Sequence, residues 1–191
     1  MCARHRSAGF SLIEVVVFIV VLGIAFVGML VLYNRVTSAS VDPMVRKQAL
    51  AIASSLLEEI ELRAYTFCDP DDPIVYTAAS PTDCTTIEAI GPEAGETRYS
   101  VPRFDNVNDY HLFQMGFGTA SPNIQTAAGT IISDLASYSV AVDVAQIAAN
   151  ELGTDVPTTD ALRITVTATH VPTGITTSLQ GYRVRYAPRS P

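Results

Sequence analysis

The sequence predicts an α+β fold in which the second half of a long N-terminal helix packs on an antiparallel β-sheet. Three observations predict it. An apolar run extends from Leu12 to Leu32, apolar residues recur every three or four positions from Val45 to Ala64, and the last third alternates apolar and polar side chains. The first pattern is membrane-length, the second is the stripe of a half-buried helix, and the third belongs to half-buried strands.

The 21 residues from Leu12 to Leu32 make about 32 Å of helix, against a hydrocarbon core of ~30 Å. Arg4 and Arg6 precede the run and Arg35 follows it. The leading charges favour an N-terminus in the cytoplasm and a C-terminal domain across the membrane. A cleaved secretory signal has a shorter apolar region with a small-residue site beyond it, and Val31-Leu32-Tyr33-Asn34-Arg35 offers no such site. A plain anchor fits the length but leaves Glu14 unexplained. Glu14 is the one ionisable side chain in the run, and an unpaired charge at membrane depth costs about 2.5–3.5 kcal/mol.

Beyond the run, Asp42-Pro43 predicts a kink or short break. Aspartate then serves as N-cap and proline as first residue of a second helix reaching about Tyr65. Its stripe is Val45, Ala49, Ile52, Ala53, Leu56, Ile60 and Ala64, while Arg46, Lys47, Glu58, Glu61 and Arg63 fall mostly on other faces. Cys68-Asp69-Pro70-Asp71-Asp72-Pro73 ends the helix, and an irregular stretch follows to about Gly95. Thr97 to Val101 alternates like a strand, Ser137 to Val144 does so more clearly, and Ala161 to Thr169 most clearly. Pro172-Thr173-Gly174 then turns the chain into a partner strand, Ile175 to Tyr186, giving a hairpin.

Gly9-Phe10-Ser11-Leu12-Ile13-Glu14 resembles the processing motif of type IV pilins and of the pseudopilins of type II secretion. The resemblance implies a cut by prepilin peptidase between Gly9 and Phe10 and N-methylation of the new Phe10 amine. It also implies that Glu14 pairs with the Phe10 amine of a neighbouring subunit, a strong attraction in a low-dielectric bundle. The architecture implied is the type IV pilin fold, with residues 1–9 as leader, 10–40 as transmembrane and filament-core helix, and 41–191 as globular domain. Such a chain sits in the inner membrane as a single-pass protein, its domain in the periplasm, before joining a pilus at the cell surface. Its partners are the peptidase and other pilins.

The resemblance narrows further on. Asp42 to Ala53 with Leu56 to Ile60, Phe67 to Asp72, Phe104 to Tyr110 and Leu179 to Tyr186 are similar to minor pilins of the mannose-sensitive haemagglutinin (MSHA) system. Residues 111–136 share little of this. The implied role is a minor subunit that primes, caps or modifies the filament. The alternatives are a minor pseudopilin of a type II secretion system and a membrane-anchored adhesin that binds glycans.

Loss of the leader's two arginines would take the formal charge from −7 to −9, which argues against a nucleic-acid partner. It would also remove Cys2 and leave Cys68 and Cys84. An even pair delivered to an oxidising compartment reads as a disulfide, closing a loop of ~17 residues. Two free thiols or half of a metal site are the competing readings. Zinc is disfavoured, because there is no CxxC and His111 and His170 are far off in sequence.

Two acidic clusters stand out: Asp69, Asp71 and Asp72, and the Asp105, Asn106, Asn108 and Asp109 group. Calcium takes six to eight oxygen ligands of this kind, so the second cluster is a candidate calcium loop. Neither cluster has the EF-hand pattern, and Asp and Asn are also ordinary turn formers. No nucleophile, acid–base pair or cofactor motif is present, so an enzyme is not expected.

Overall fold

The computed structural model describes residues 11–185, except for the side chains of residues 34–42. The chain divides into two compact units, Met1–Met44 and Val45–Pro191.

One helix, α1 (Leu12–Glu61), is shared between them. Its first part, Leu12–Tyr33, is long and apolar enough to cross a membrane, and none of it is buried. Phe18, Phe26 and Leu32 are each about 60% exposed. A helix that is apolar all round must find its covering outside the chain, in lipid or in neighbouring helices.

The helix continues through Pro43, where the sequence predicts a kink or break. Proline removes one backbone bond and crowds the preceding turn. The strong helix formers that follow, Met44, Arg46, Lys47, Gln48, Ala49 and Leu50, carry the helix onward. The helix ends at Glu61, not near Tyr65. Ala64 instead bridges to Asn106, and its carbonyl accepts the Val107 N–H at 3.0 Å. That long-range pairing draws the chain out of the helical path.

The second unit is a four-stranded antiparallel meander of β1 (Gln114–Gly116), β2 (Tyr138–Gln146), β3 (Ala161–His170) and β4 (Ile175–Val184), in that spatial order. All seven stripe residues from Val45 to Ala64, the last just beyond the helix, are buried. Val45, Ala49, Ile52, Ala53, Leu56 and Ile60 share one core with Val140, Val142 and Val144 of β2 and Ile164, Val166 and Ala168 of β3. Strand alternation puts those sheet residues on one face. On the other face, Thr167 bonds Ser178 and Thr169 bonds Thr176, each at 3.2 Å between registered partners. The helix approaches the sheet closely at Gly181, where an added Cβ would lie 3.0 Å from Leu57 and collide with Glu61.

β2 and β3 run slightly longer than the sequence patterns suggest, and β4 ends at Val184; Tyr186 lies outside the described residues. Thr97 to Val101 is not a strand. The Thr97 hydroxyl accepts the Ser100 N–H at 2.9 Å and bonds its hydroxyl at 2.7 Å, folding the segment into a turn. Gly116, at φ +100°, closes β1 where any Cβ would sit 2.2 Å from the Tyr138 carbonyl oxygen, so only glycine fits.

Candidate functional site

Two places in the molecule bear on function. The first is the start of α1. Glu14 occupies its first turn, donating its own N–H to the Ser11 carbonyl at 3.0 Å. A carboxylate there complements the partial positive charge of the helix end. The side chain is exposed, and no residue among those described pairs with it. Gly9 and Phe10 lie outside the described residues.

The second place is built by three loops. Cys68 and Cys84 are joined by a disulfide with Cα atoms 5.3 Å apart. Cys68 is fully buried with Val75 and Ala78 in a small satellite core. Beside the crosslink, the Asp69 N–H bonds the Thr86 carbonyl at 3.2 Å and the Glu88 N–H bonds the Phe67 carbonyl at 3.1 Å. Gly91 donates to the Asn108 carbonyl at 3.1 Å, and Phe104 to the Thr97 carbonyl at 3.1 Å. These pairings lay the 86–97 loop between residues 67–69 and 104–109.

Seven carboxylates converge as a result. Ligand oxygens of Glu88, Glu93 and Asp109 lie within 4.8 Å of one another, as do those of Glu96, Asp105 and Asp109. Asp69 joins Glu93 and Glu96 in a third such group, and Asp71 and Asp105 in a fourth. Asp109 is fully buried. Its Oδ2 accepts the N–H groups of Asp105 and Asn106 at 2.9 and 2.8 Å, while Oδ1 has no partner among the described residues. Both carboxylate oxygens of Glu88 and the Asn108 Oδ1 are likewise buried and unpartnered.

The electrostatics follow from burial and like charge. Burial, then Asp109 and Glu93, push the Glu88 carboxyl up to about 10. Burial, then Asp109, push Glu96 up to about 8. Burial raises Asp109 to about 7 against the lowering effect of its two backbone donors. Burial, with Asp69 and Asp71, lifts Asp105 to about 6.

Of the residues the sequence offers as a calcium loop, Asp105 and Asp109 enter this cluster. Asn106 is committed elsewhere: its Nδ2 donates to Thr66 Oγ1 at 2.8 Å and its Oδ1 accepts the Val107 N–H at 2.9 Å. Asp69 and Asp71, read as a separate cluster, come alongside Asp105. Asp72 does not; its buried carboxylate accepts the N–H groups of Ile74 and Thr86 at 2.9 and 2.7 Å, which lowers its pKa. Glu88, Glu93 and Glu96 complete the cluster without a sequence motif to mark them. Their spacing carries no signal until the pairings around the disulfide bring them together.

His111 and His170 belong to neither place. His111 Nδ1 accepts the Val144 N–H at 3.3 Å, and His170 bonds Thr173 at 2.8 Å with its ring tilted against Tyr138.

Residues 4–30 match the family model described as a prokaryotic N-terminal methylation motif. Neither a curated protein nor a solved structure matches the chain. The motif suggests a structural subunit rather than an enzyme, with processing by prepilin peptidase and assembly with other pilins. Together with the exposed apolar helix and the α+β domain, this prepilin-type motif supports a type IV pilin-like family for the chain.

Proposed function

We propose that this chain is a minor type IV pilin of the MSHA kind, similar to the minor pilin MshD, which primes, caps or modifies a filament. The observation that carries the reading is the methylation motif over residues 4–30 leading into a membrane-length helix that no other described residue covers. In this reading residues 1–9 are the leader, 10–40 the membrane and filament-core helix, and 41–191 the globular domain. Prepilin peptidase cuts between Gly9 and Phe10 and methylates the Phe10 amine. The chain waits in the inner membrane with its domain in the periplasm and then enters a pilus. Glu14 tolerates membrane depth because the Phe10 amine of a neighbouring subunit neutralises it. Opposite charges attract far more strongly there than in water.

Mass spectrometry of the N-terminal peptide, after expression with a prepilin peptidase, tests the processing step. The expected product begins with N-methylated Phe10. An N-terminus at Met1, or a cut elsewhere, would overturn the reading. Gly9→Ser should block the cut and leave Cys2 in the protein.

A further inference from the structure

We propose that the three-loop cluster is a calcium site, with Glu88, Glu93 and Asp109 as its centre and Glu96 and Asp105 adjoining. The inference stands apart from the pilin reading and uses none of its residues.

A group of acidic side chains on a surface says little by itself. Here the deciding observation is that Asp109 is fully buried with Oδ1 unpartnered, and that Glu88 holds both oxygens buried and unpartnered beside it. Buried acceptors without donors are rare because each forfeits its hydration without replacement. No lysine, arginine or histidine forms an ion pair with Glu88, Glu93 or Asp109 among the described residues. A cation supplies the missing partner for Glu88 and Asp109 at once, with a Glu93 carboxylate oxygen in reach as a third ligand.

The distances suit one ion. Two oxygens on opposite sides of a calcium ion, each at about 2.4 Å, are about 4.8 Å apart. The ligand oxygens of Glu88, Glu93 and Asp109 all fall within 4.8 Å of each other. The donor set is oxygen only, with neither the imidazole nor the thiolate that zinc and copper select. The ligands come from irregular loops, which suits calcium's tolerant six- to eight-fold shell better than the strict octahedron of magnesium. Asp109 is positioned before any ion arrives, because its Oδ2 is held by two backbone donors and Oδ1 is left over.

The test is calorimetric titration of calcium chloride into the purified, chelator-treated full chain in detergent, with melting temperature followed alongside. Saturable binding of one ion per chain and a raised melting temperature are expected. Glu88→Gln and Glu93→Gln should each weaken binding at least about tenfold, since each removes a charged ligand. Asp109→Asn retains an acceptor for the Asp105 and Asn106 N–H groups and provides a third variant if either glutamine variant melts out. Magnesium should bind at least about tenfold more weakly than calcium. Absence of saturable calcium binding, equal affinity for magnesium, or unchanged affinity in folded Glu88→Gln and Glu93→Gln would overturn the proposal.

Discussion

Glu14 and Glu59 lie on the same helix and meet charge in different places. Glu59 is paired within the chain: its carboxylate takes two bonds from the Arg98 guanidinium, at 2.8 and 2.5 Å, and one from the Tyr110 hydroxyl at 2.9 Å. The Arg98 side chain is 3% exposed. Arg98 and Tyr110 outweigh burial and hold the Glu59 carboxyl below its usual value. Glu14 has no such partner among the described residues. The helix surfaces around them differ in the same way. Around Glu59 the stripe is buried by a sheet, whereas around Glu14 the apolar surface is bare. A segment whose charge and apolar surface both lack partners is built to find them elsewhere.

Removing the internal partner should have the largest effect on folding. Arg98→Ala leaves the partly buried Glu59 without its counter-charge and should destabilise the domain by about 3 kcal/mol, the low end for a broken buried pair, measured by denaturant unfolding of the full chain in detergent. A loss below ~1 kcal/mol would erase the contrast between the two glutamates. The same substitution made in both helix segments sharpens it. Ile60→Ala should cost about 2–5 kcal/mol, because Ile60 is fully buried. Ile19→Ala, at a site 62% exposed, should leave domain unfolding unchanged.

Replacing Cys68 and Cys84 together with serine should cost about 3 kcal/mol on the chain-entropy model for a loop of ~17 residues. The same change should loosen the pairing of residues 67–69 with 86–88, which places Glu88.

The smallest effect is on pH dependence. In chelator, Asp105, Asp109, Glu96 and Glu88 carry folded pKa values of about 6, 7, 8 and 10, above their ordinary 3.8–4.5. The folded state therefore holds extra protons, and the stability they contribute is complete below about pH 4 and is lost as pH rises through those values. Glu59 acts oppositely: its contribution is present above its ordinary value of 4.5 and is lost as pH falls below it. Melting temperature should thus fall between about pH 5 and about pH 9 without calcium, and calcium should flatten the fall. A flat profile in chelator would remove the crowded-carboxylate description.

Much of the architecture was legible in the sequence because it rests on periodicity. The stripe from Val45 to Ala64 and the alternation of Ala161 to Thr169 each encode a buried face, and both faces are buried in the structure. The break that Asp42-Pro43 predicts is absent because a single lost backbone bond does not stop a helix whose following residues favour it. Thr97 to Val101 misled because a hydroxyl competed with strand pairing. β1 leaves no periodic signal, because it is three residues long and depends on a glycine pressed against the Tyr138 carbonyl. The acidic site was half legible. Asp105 and Asp109 declare themselves by local composition, whereas Glu88, Glu93 and Glu96 join them through pairings between distant segments.

The most direct test of the central claim is the fate of Glu14→Ala in cells that assemble the pilus. The chain is followed by immunoblot in the membrane fraction and in sheared filaments. Removing a charge from an apolar helix eases insertion, so membrane levels should match or exceed those of the unaltered chain, while the filament signal should be lost. Filament incorporation equal to that of the unaltered chain would show that Glu14 needs no partner from a neighbouring subunit, contradicting the account.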